Sequence, residues 1–226
     1  MNIIQKIISV IAPHQCVGCG HEGSLICKWC FYEHQPEIAE RCIECNAVAA
    51  DARTCESCKT RRHLPRNVWA VSDYDGVVKE LLLKLKFGNA SVAADTLGDY
   101  MDGALPHLPL NTVIVHIPTS SKRARVRGYD QAELIARRLA VSRNLTTVTL
   151  LDRLTHSQQV GSARADRLSQ LENAFEVLPN DIVTKQTPIL LVDDIYTTGG
   201  TLGSATEALR REGYRNIYAA VCARAQ

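Results

Sequence analysis

At 226 residues the chain exceeds one typical domain and hardly fills two, and its 46% apolar residues, spread as short runs, can bury a core. A net charge of +2 is too small on its own to argue for a nucleic-acid partner, so local clusters of charge say more than the total. Nine cysteines are many; eight lie from Cys16 to Cys58, and the ninth, Cys222, sits in an apolar C-terminal run and reads as a small core residue.

In chain order, Ile3, Ile4, Ile7, Ile8 and Ile11 come first, at helical spacing within residues 1–12. With a single lysine, no long apolar core and no small-residue cleavage site, the segment does not read as an export signal, and it is too short to cross a bilayer. A short amphipathic helix packed on the rest of the protein is expected, the alternative being contact with a membrane surface or a partner. The expected compartment is the cytoplasm, including the inner face of the cytoplasmic membrane, where reducing conditions disfavour disulfides.

The cysteines then stand as Cys16-Val-Gly-Cys19, Cys27-Lys-Trp-Cys30, Cys42-Ile-Glu-Cys45 and Cys55-Glu-Ser-Cys58. Each C-x-x-C knuckle offers two thiolates at an angle suited to tetrahedral zinc, and two knuckles close one site. Eight thiolates predict two structural Zn²⁺ ions in a double zinc ribbon. Sequential pairing is the simplest; the spacing also permits a crossed one. A redox role for these pairs lacks a thioredoxin-like context. So short a segment, poor in apolar residues, should fold only with metal, at on the order of 10–16 kcal/mol of apparent binding energy per site.

Residues 59–65 are polar, end in Pro65, and read as a linker. The expected division is residues 1–62 for the N-terminal helix and zinc ribbons, and 66–226 for a second domain. Residues 68–74 alternate like a strand, 76–87 have helical spacing, and a second helix is expected over 92–105. Residues 111–117 read as a buried strand ending at Pro118. Thr119, Ser120 and Ser121 follow, then four cations (Lys122, Arg123, Arg125, Arg127), with a helix expected from about Tyr129. Hydroxyls and cations at the carboxyl end of a strand suit a phosphate or pyrophosphate group, Thr119, Ser120 and Arg123 foremost. A solvated basic face and a nucleic-acid patch are the alternatives. Residues 153–175 lack any period and read as a mobile loop; its His156 has no evident partner.

The most informative stretch is 189–202, ILLVDDIYTTGGTL. Four apolar residues fit a buried strand running into Asp193 and Asp194, then Thr197, Thr198, Gly199, Gly200 and Thr201, then helical spacing up to Gly213. Small residues let backbone N–H groups close around an anion at a helix N-terminus. Adjacent carboxylates suit neighbouring sugar hydroxyls or Mg²⁺. One ligand satisfies both: a sugar with a terminal phosphate. A Walker-B-type strand would need a G-x-x-x-x-G-K-[ST] loop upstream, and the chain has none.

Over residues 189–201 the sequence resembles the phosphoribosyl-pyrophosphate motif of type I phosphoribosyltransferases. The order of motifs narrows this: a cysteine-knuckle head; Arg125-Val-Arg127-Gly128-Tyr129-Asp130-Gln131-Ala132; Thr155, Gln159, Ser162, Arg164, Arg167 and Asn173-Ala174-Phe175; then the Asp-Asp motif. Over nearly the whole chain this is similar to the ComF/GntX family of competence-associated proteins. It departs at Asp130, where the family usually has Asn, and at Thr119-Ser120, where an apolar residue and Leu are usual. The resemblance implies an α/β, type I phosphoribosyltransferase-like parallel sheet flanked by helices, with a small N-terminal zinc-ribbon domain. It also implies Asp193 and Asp194 on the ribose, the 197–201 loop on the 5-phosphate, Mg²⁺ with the ligand, and a role in DNA uptake. Two functions remain open: phosphoribosyl transfer to an unnamed nitrogen acceptor, or an adaptor that contacts single-stranded DNA or an uptake protein through the zinc ribbons and basic surface.

Overall fold

The computed structural model describes residues 14–88, 90–154 and 174–225. Its elements are helices α1 (Lys28–Glu33) and α2 (Glu56–Arg62) in the cysteine-rich head, then β1 (Val68–Asp73), α3 (Gly76–Phe87), α4 (Ala93–Ala104) and β2 (Val113–His116). They continue with α5 (Ser121–Arg127), α6 (Gln131–Arg143), β3 (Thr146–Thr147), β4 (Leu151–Arg153), β5 (Phe175–Val177), β6 (Ile189–Tyr196), α7 (Gly200–Arg211) and β7 (Ile217–Arg224). Calls on residues 1–12 and 155–173 lie outside the described residues.

Uninterrupted apolar runs make strands that need cover on both faces. Five strands, the short and exposed Thr146–Thr147 pair at one edge, form one sheet in the order β1-β7-β6-β2-β3, every neighbouring pair parallel. On β6, Leu190 and Val192 join the core under α3, α4 and α6, while Ile189 and Leu191 join the opposite core with Leu202, Ala205 and Leu209 of α7. The antiparallel β4–β5 hairpin flanks that second core through Leu151 and Phe175. This is the expected mostly parallel sheet between helical layers, with a cysteine-rich head before it.

The head is built into both cores. Leu25 is buried with the α3–α4–α6 layer, and Phe31 stacks on Tyr100 of α4 with ring centroids 4.9 Å apart. Ile43 and Leu64 are buried on the α7 side instead. The expected linker is therefore corrected. Its first four residues complete α2, whose last turn carries Lys59, Arg61 and Arg62 where the helix dipole favours cations, and Leu64 is fully buried. The basic stretch after Pro118 is likewise not a loop. Ser120 caps the Arg123 N–H and starts α5, which ends at Gly128.

Candidate functional site

Two sites emerge from these elements. In the head, the sulfurs of Cys16, Cys19, Cys27 and Cys30 lie within 4.8 Å of one another, and so do those of Cys42, Cys45, Cys55 and Cys58. Four sulfurs about 2.3 Å from a tetrahedral zinc would sit about 3.8 Å apart. The Cys19–Cys27, Cys42–Cys55 and Cys45–Cys55 sulfurs are 3.7 Å apart. All eight are free thiols, and backbone N–H groups point at them, as from Cys27 to Cys16 Sγ. The donor set fits one Zn²⁺ per cluster, and the clusters follow the sequential pairing.

The second site lies where parallel strands deliver their carboxyl ends. A pocket of about 210 Å³ is lined by residues from α3, the β2–α5 turn, α5, α6, β4, β6 and α7. β6 carries Asp193 and Asp194 into it as its fifth and sixth residues. Pro118 and Thr119 come from the end of β2, and the N–H of Thr119 donates to Asp130 Oδ2 at 2.7 Å. Asp130 also caps α6 through the N–H groups of Ala132 and Glu133, so its carboxylate joins the turn after β2 to the start of α6.

Among the described residues, four cations face this pocket: Lys86, Arg123, Arg127 and Arg153. Lys86 Nζ lies 2.8 Å from Asp194 Oδ2. Arg153 lies over the ring of Phe175, 5.2 Å from its centroid, and donates to the Pro118 carbonyl; burial lowers its pKa, Asp193 opposing. Burial, with Asp194 beside it, pushes the Asp193 carboxyl well above the ordinary carboxylate range, against the Asp194 N–H and Lys86. The turn after β6 ends in Gly199, whose φ of 73° is left-handed, and α7 begins at Gly200 with its first N–H groups lacking helical acceptors.

A larger open groove of about 1090 Å³ lies at the opposite end of the strands, near Val113 and Thr146. Its cation Arg143 is already bound to Asp102 and to the carbonyls of Asp102, Leu105 and Pro106. It offers an anion little.

No family model matches the chain. It is 32% identical over 181 residues to competence protein ComFC of Bacillus subtilis, spanning 78% of this chain and 72% of that protein. The chain belongs to the ComF family. Over 218 residues it is 26% identical to competence protein F of Haemophilus influenzae (90% and 93% of the two chains), and over 203 residues 29% identical to DNA utilization protein YhgH of Salmonella typhi (85% and 87%).

In this ComF chain, the pocket brings together Asp193, Asp194, Thr197, Thr201, Thr119 and Arg123. Gly199 lines a shallow depression next to it. Ser120, Thr198 and Gly200 are on the walls of neither, and the Ser120 hydroxyl is engaged as a helix cap. Sequence reasoning missed Lys86, Arg153 and Gln131. Gln131 is the most telling: the residue is 2% exposed, it lines the pocket, and its Nε2 has no hydrogen-bond partner among the described residues. A buried donor without an acceptor suits a ligand oxygen. The Arg-x-Arg-Gly-Tyr-Asp-Gln-Ala motif could have flagged it. Among the described residues no third carboxylate joins Asp193 and Asp194 in a cluster fit for a metal. Two carboxylates, one of them already paired with Lys86, are too few to cage a resident divalent ion.

Proposed function

We propose that this ComF chain binds phosphoribosyl pyrophosphate with Mg²⁺ at the strand-end pocket and transfers the phosphoribosyl group to a nitrogen acceptor, in the service of DNA uptake. The observation that carries the reading is one pocket combining, among the described residues, the acidic pair, Thr197 and Thr201 at the start of α7, and the cations Lys86, Arg123, Arg127 and Arg153. In this reading Asp193 and Asp194 accept hydrogen bonds from the ribose hydroxyls. Thr197, Thr201 and the first N–H groups of α7 hold the 5-phosphate. Thr119, Arg123, Arg153 and the orphan Gln131 amide face the pyrophosphate.

The acceptor nitrogen forms a bond to the anomeric carbon as the bond to the pyrophosphate oxygen breaks. Positive charge growing on the ring is offset by the two carboxylates, and negative charge on the departing group by the arginines. Mg²⁺, when bound, adds neutralisation of the pyrophosphate. The names of the relatives above support the link to competence and DNA use. Among the described residues no helix is long and apolar enough to cross a membrane.

Calorimetric titration of the full chain with phosphoribosyl pyrophosphate tests this. Saturable binding strengthened by Mg²⁺ is expected, and Thr201→Ala should weaken it by roughly 1.5–3 kcal/mol, the worth of a hydrogen bond to a charged group. No binding with or without Mg²⁺ removes the reading.

A second reading, the adaptor, draws support from α1, where Trp29 is 76% and Tyr32 64% exposed. Exposed aromatics on a surface can stack with single-stranded bases. Under it, oligothymidine should quench Trp29 fluorescence, and Trp29→Phe with Tyr32→Ala should weaken binding measured by anisotropy. Unchanged anisotropy would remove α1 from the contact.

A further inference from the structure

We infer that the second cysteine cluster positions the phosphate loop through Glu44 and Tyr196, and that the first cluster has no such task. The inference rests on reading residues 197–201 as the phosphate loop.

Glu44 sits inside the Cys42–Cys45 knuckle, beside Ile43, which is buried in the α7-side core. Its carboxylate accepts from Arg62 Nε at 2.8 Å and from Arg61 at 3.4 Å. Both arginines lie on α2, the helix that carries Cys58 of the same cluster, and Arg61 also reaches Cys58 Sγ. The two halves of the cluster therefore converge on one carboxylate. That carboxylate accepts the Tyr196 hydroxyl at 2.6 Å.

Tyr196 ends β6, two residues beyond Asp194 and one before Thr197. Its hydroxyl lies directly against Gly199: a Cβ there would meet the Tyr196 oxygen at 2.5 Å. The left-handed turn of the loop is thus laid on the phenol that Glu44 holds. A second contact acts on the helix behind the loop. Gly203 of α7 packs on the Arg62 carbonyl with no room for a side chain, and Arg210 donates to the carbonyls of His63 and Leu64 at 3.1 and 2.9 Å. The Cys42–Cys45 knuckle thus acts on the loop at Gly199 through Tyr196, and the end of α2 acts directly at Gly203. The first cluster meets the sheet domain elsewhere, on the other face, where Phe31 stacks on Tyr100 and Gln35 lies against Gly103 of α4.

Neither Glu44 nor Tyr196 need touch the ligand; both are positioning residues. Metal at the second cluster then sets the order of the phosphate loop, and ligand affinity follows zinc occupancy at that cluster.

Hydrogen–deuterium exchange on the full-length, zinc-loaded protein tests this, with phosphoribosyl pyrophosphate titrated in parallel. Tyr196→Phe keeps the ring, and Glu44→Ala keeps all eight cysteines. Each should speed exchange across residues 197–203 by about ten- to a hundredfold, the range set by losing a charge-assisted hydrogen bond. Exchange in β7 should be unchanged, which a general loss of stability would not leave so. Because both act through one bond, the double variant should be no worse than the more severe single one. Cys42→Ser with Cys45→Ser should loosen 197–203, whereas Cys16→Ser with Cys19→Ser should loosen α4 instead. A wild-type loop already unprotected, additive single variants, or loosening spread evenly over the sheet in the Glu44 or Tyr196 variants would each overturn the inference; if the cysteine variants fail to fold, the Glu44 and Tyr196 variants decide. Loosening as expected, in a protein that binds no phosphoribosyl pyrophosphate, would leave the brace standing and remove the proposed function.

Discussion

Two adjacent carboxylates at a strand end repel, and the structure divides the burden unequally between them. Asp194 has the Lys86 ammonium at 2.8 Å. Asp193 carries the unfavourable share, its pKa raised by burial and by Asp194. A carboxyl whose folded pKa is raised binds more protons folded than unfolded, so stability falls as pH rises from the unfolded value, about 3.9, through the folded one. Above that window the full cost remains. Asp193→Asn removes the charge, so the variant should melt higher than the wild type at neutral pH, with the difference shrinking to nothing as pH falls below about 3.9. It should also lose phosphoribosyl pyrophosphate binding while remaining folded. Asp194→Asn behaves differently, because it deprives a mostly buried ammonium of the carboxylate beside it, and it should melt lower. Melting curves across pH separate the two. An Asp193→Asn protein less stable than wild type at neutral pH would mean that this carboxylate holds the fold together.

At the scale of elements, what could be read from the chain depended on whether its cause was local. β6 was legible because four apolar residues in a row need burial on both sides, and α3 because Val77, Leu81, Leu82 and Leu85 recur at helical spacing. Ser120 was read as a ligand for phosphate, yet a serine three residues before a backbone N–H that it can cap is the ordinary start of a helix, and α5 follows it. Residues 59–62 look like a polar loop, but Lys, Thr and Arg also complete a helix that Cys55 and Cys58 have anchored. Lys86 and Arg153 could not be assigned because nothing near them in sequence says where they point. Lys86 closes an amphipathic helix, and Arg153 ends a three-residue strand outside the main sheet; only the tertiary fold brings both to the pocket of Asp193 and Asp194. Asp130, where the family usually has Asn, is explained by its partners. Oδ2 accepts the Thr119 N–H and Oδ1 the Ala132 and Glu133 N–H groups, so both oxygens are used, whereas an Asn, with one oxygen and an NH2 donor, could keep the helix cap but not accept from Thr119 as well.

For the whole molecule, the decisive question is whether the head is an appendage or part of the core. Leu25 belongs to the buried cluster on one face of the sheet, and Ile43 and Leu64 to the cluster on the other. Beyond these contacts, Arg224 at the end of β7 binds Asn46 at 2.7 Å, and Asn67 ahead of β1 donates to the Asp51 carbonyl. Zinc bound at these clusters, at on the order of 10–16 kcal/mol per site, would therefore stabilise residues well outside the head. Elemental analysis should find two Zn²⁺ per chain, and a strong chelator should lower the melting temperature of the sheet as well as the head. Both should be lost in one transition, followed by exchange at β7 amides together with thiol reactivity of the eight cysteines. One zinc per chain, or disulfides in place of thiolates, would overturn the double-cluster reading. A chelated protein with reactive cysteines but β7 still protected would make the head an appendage, and would mean that the sheet is stable without the apolar residues the head contributes to each of its faces.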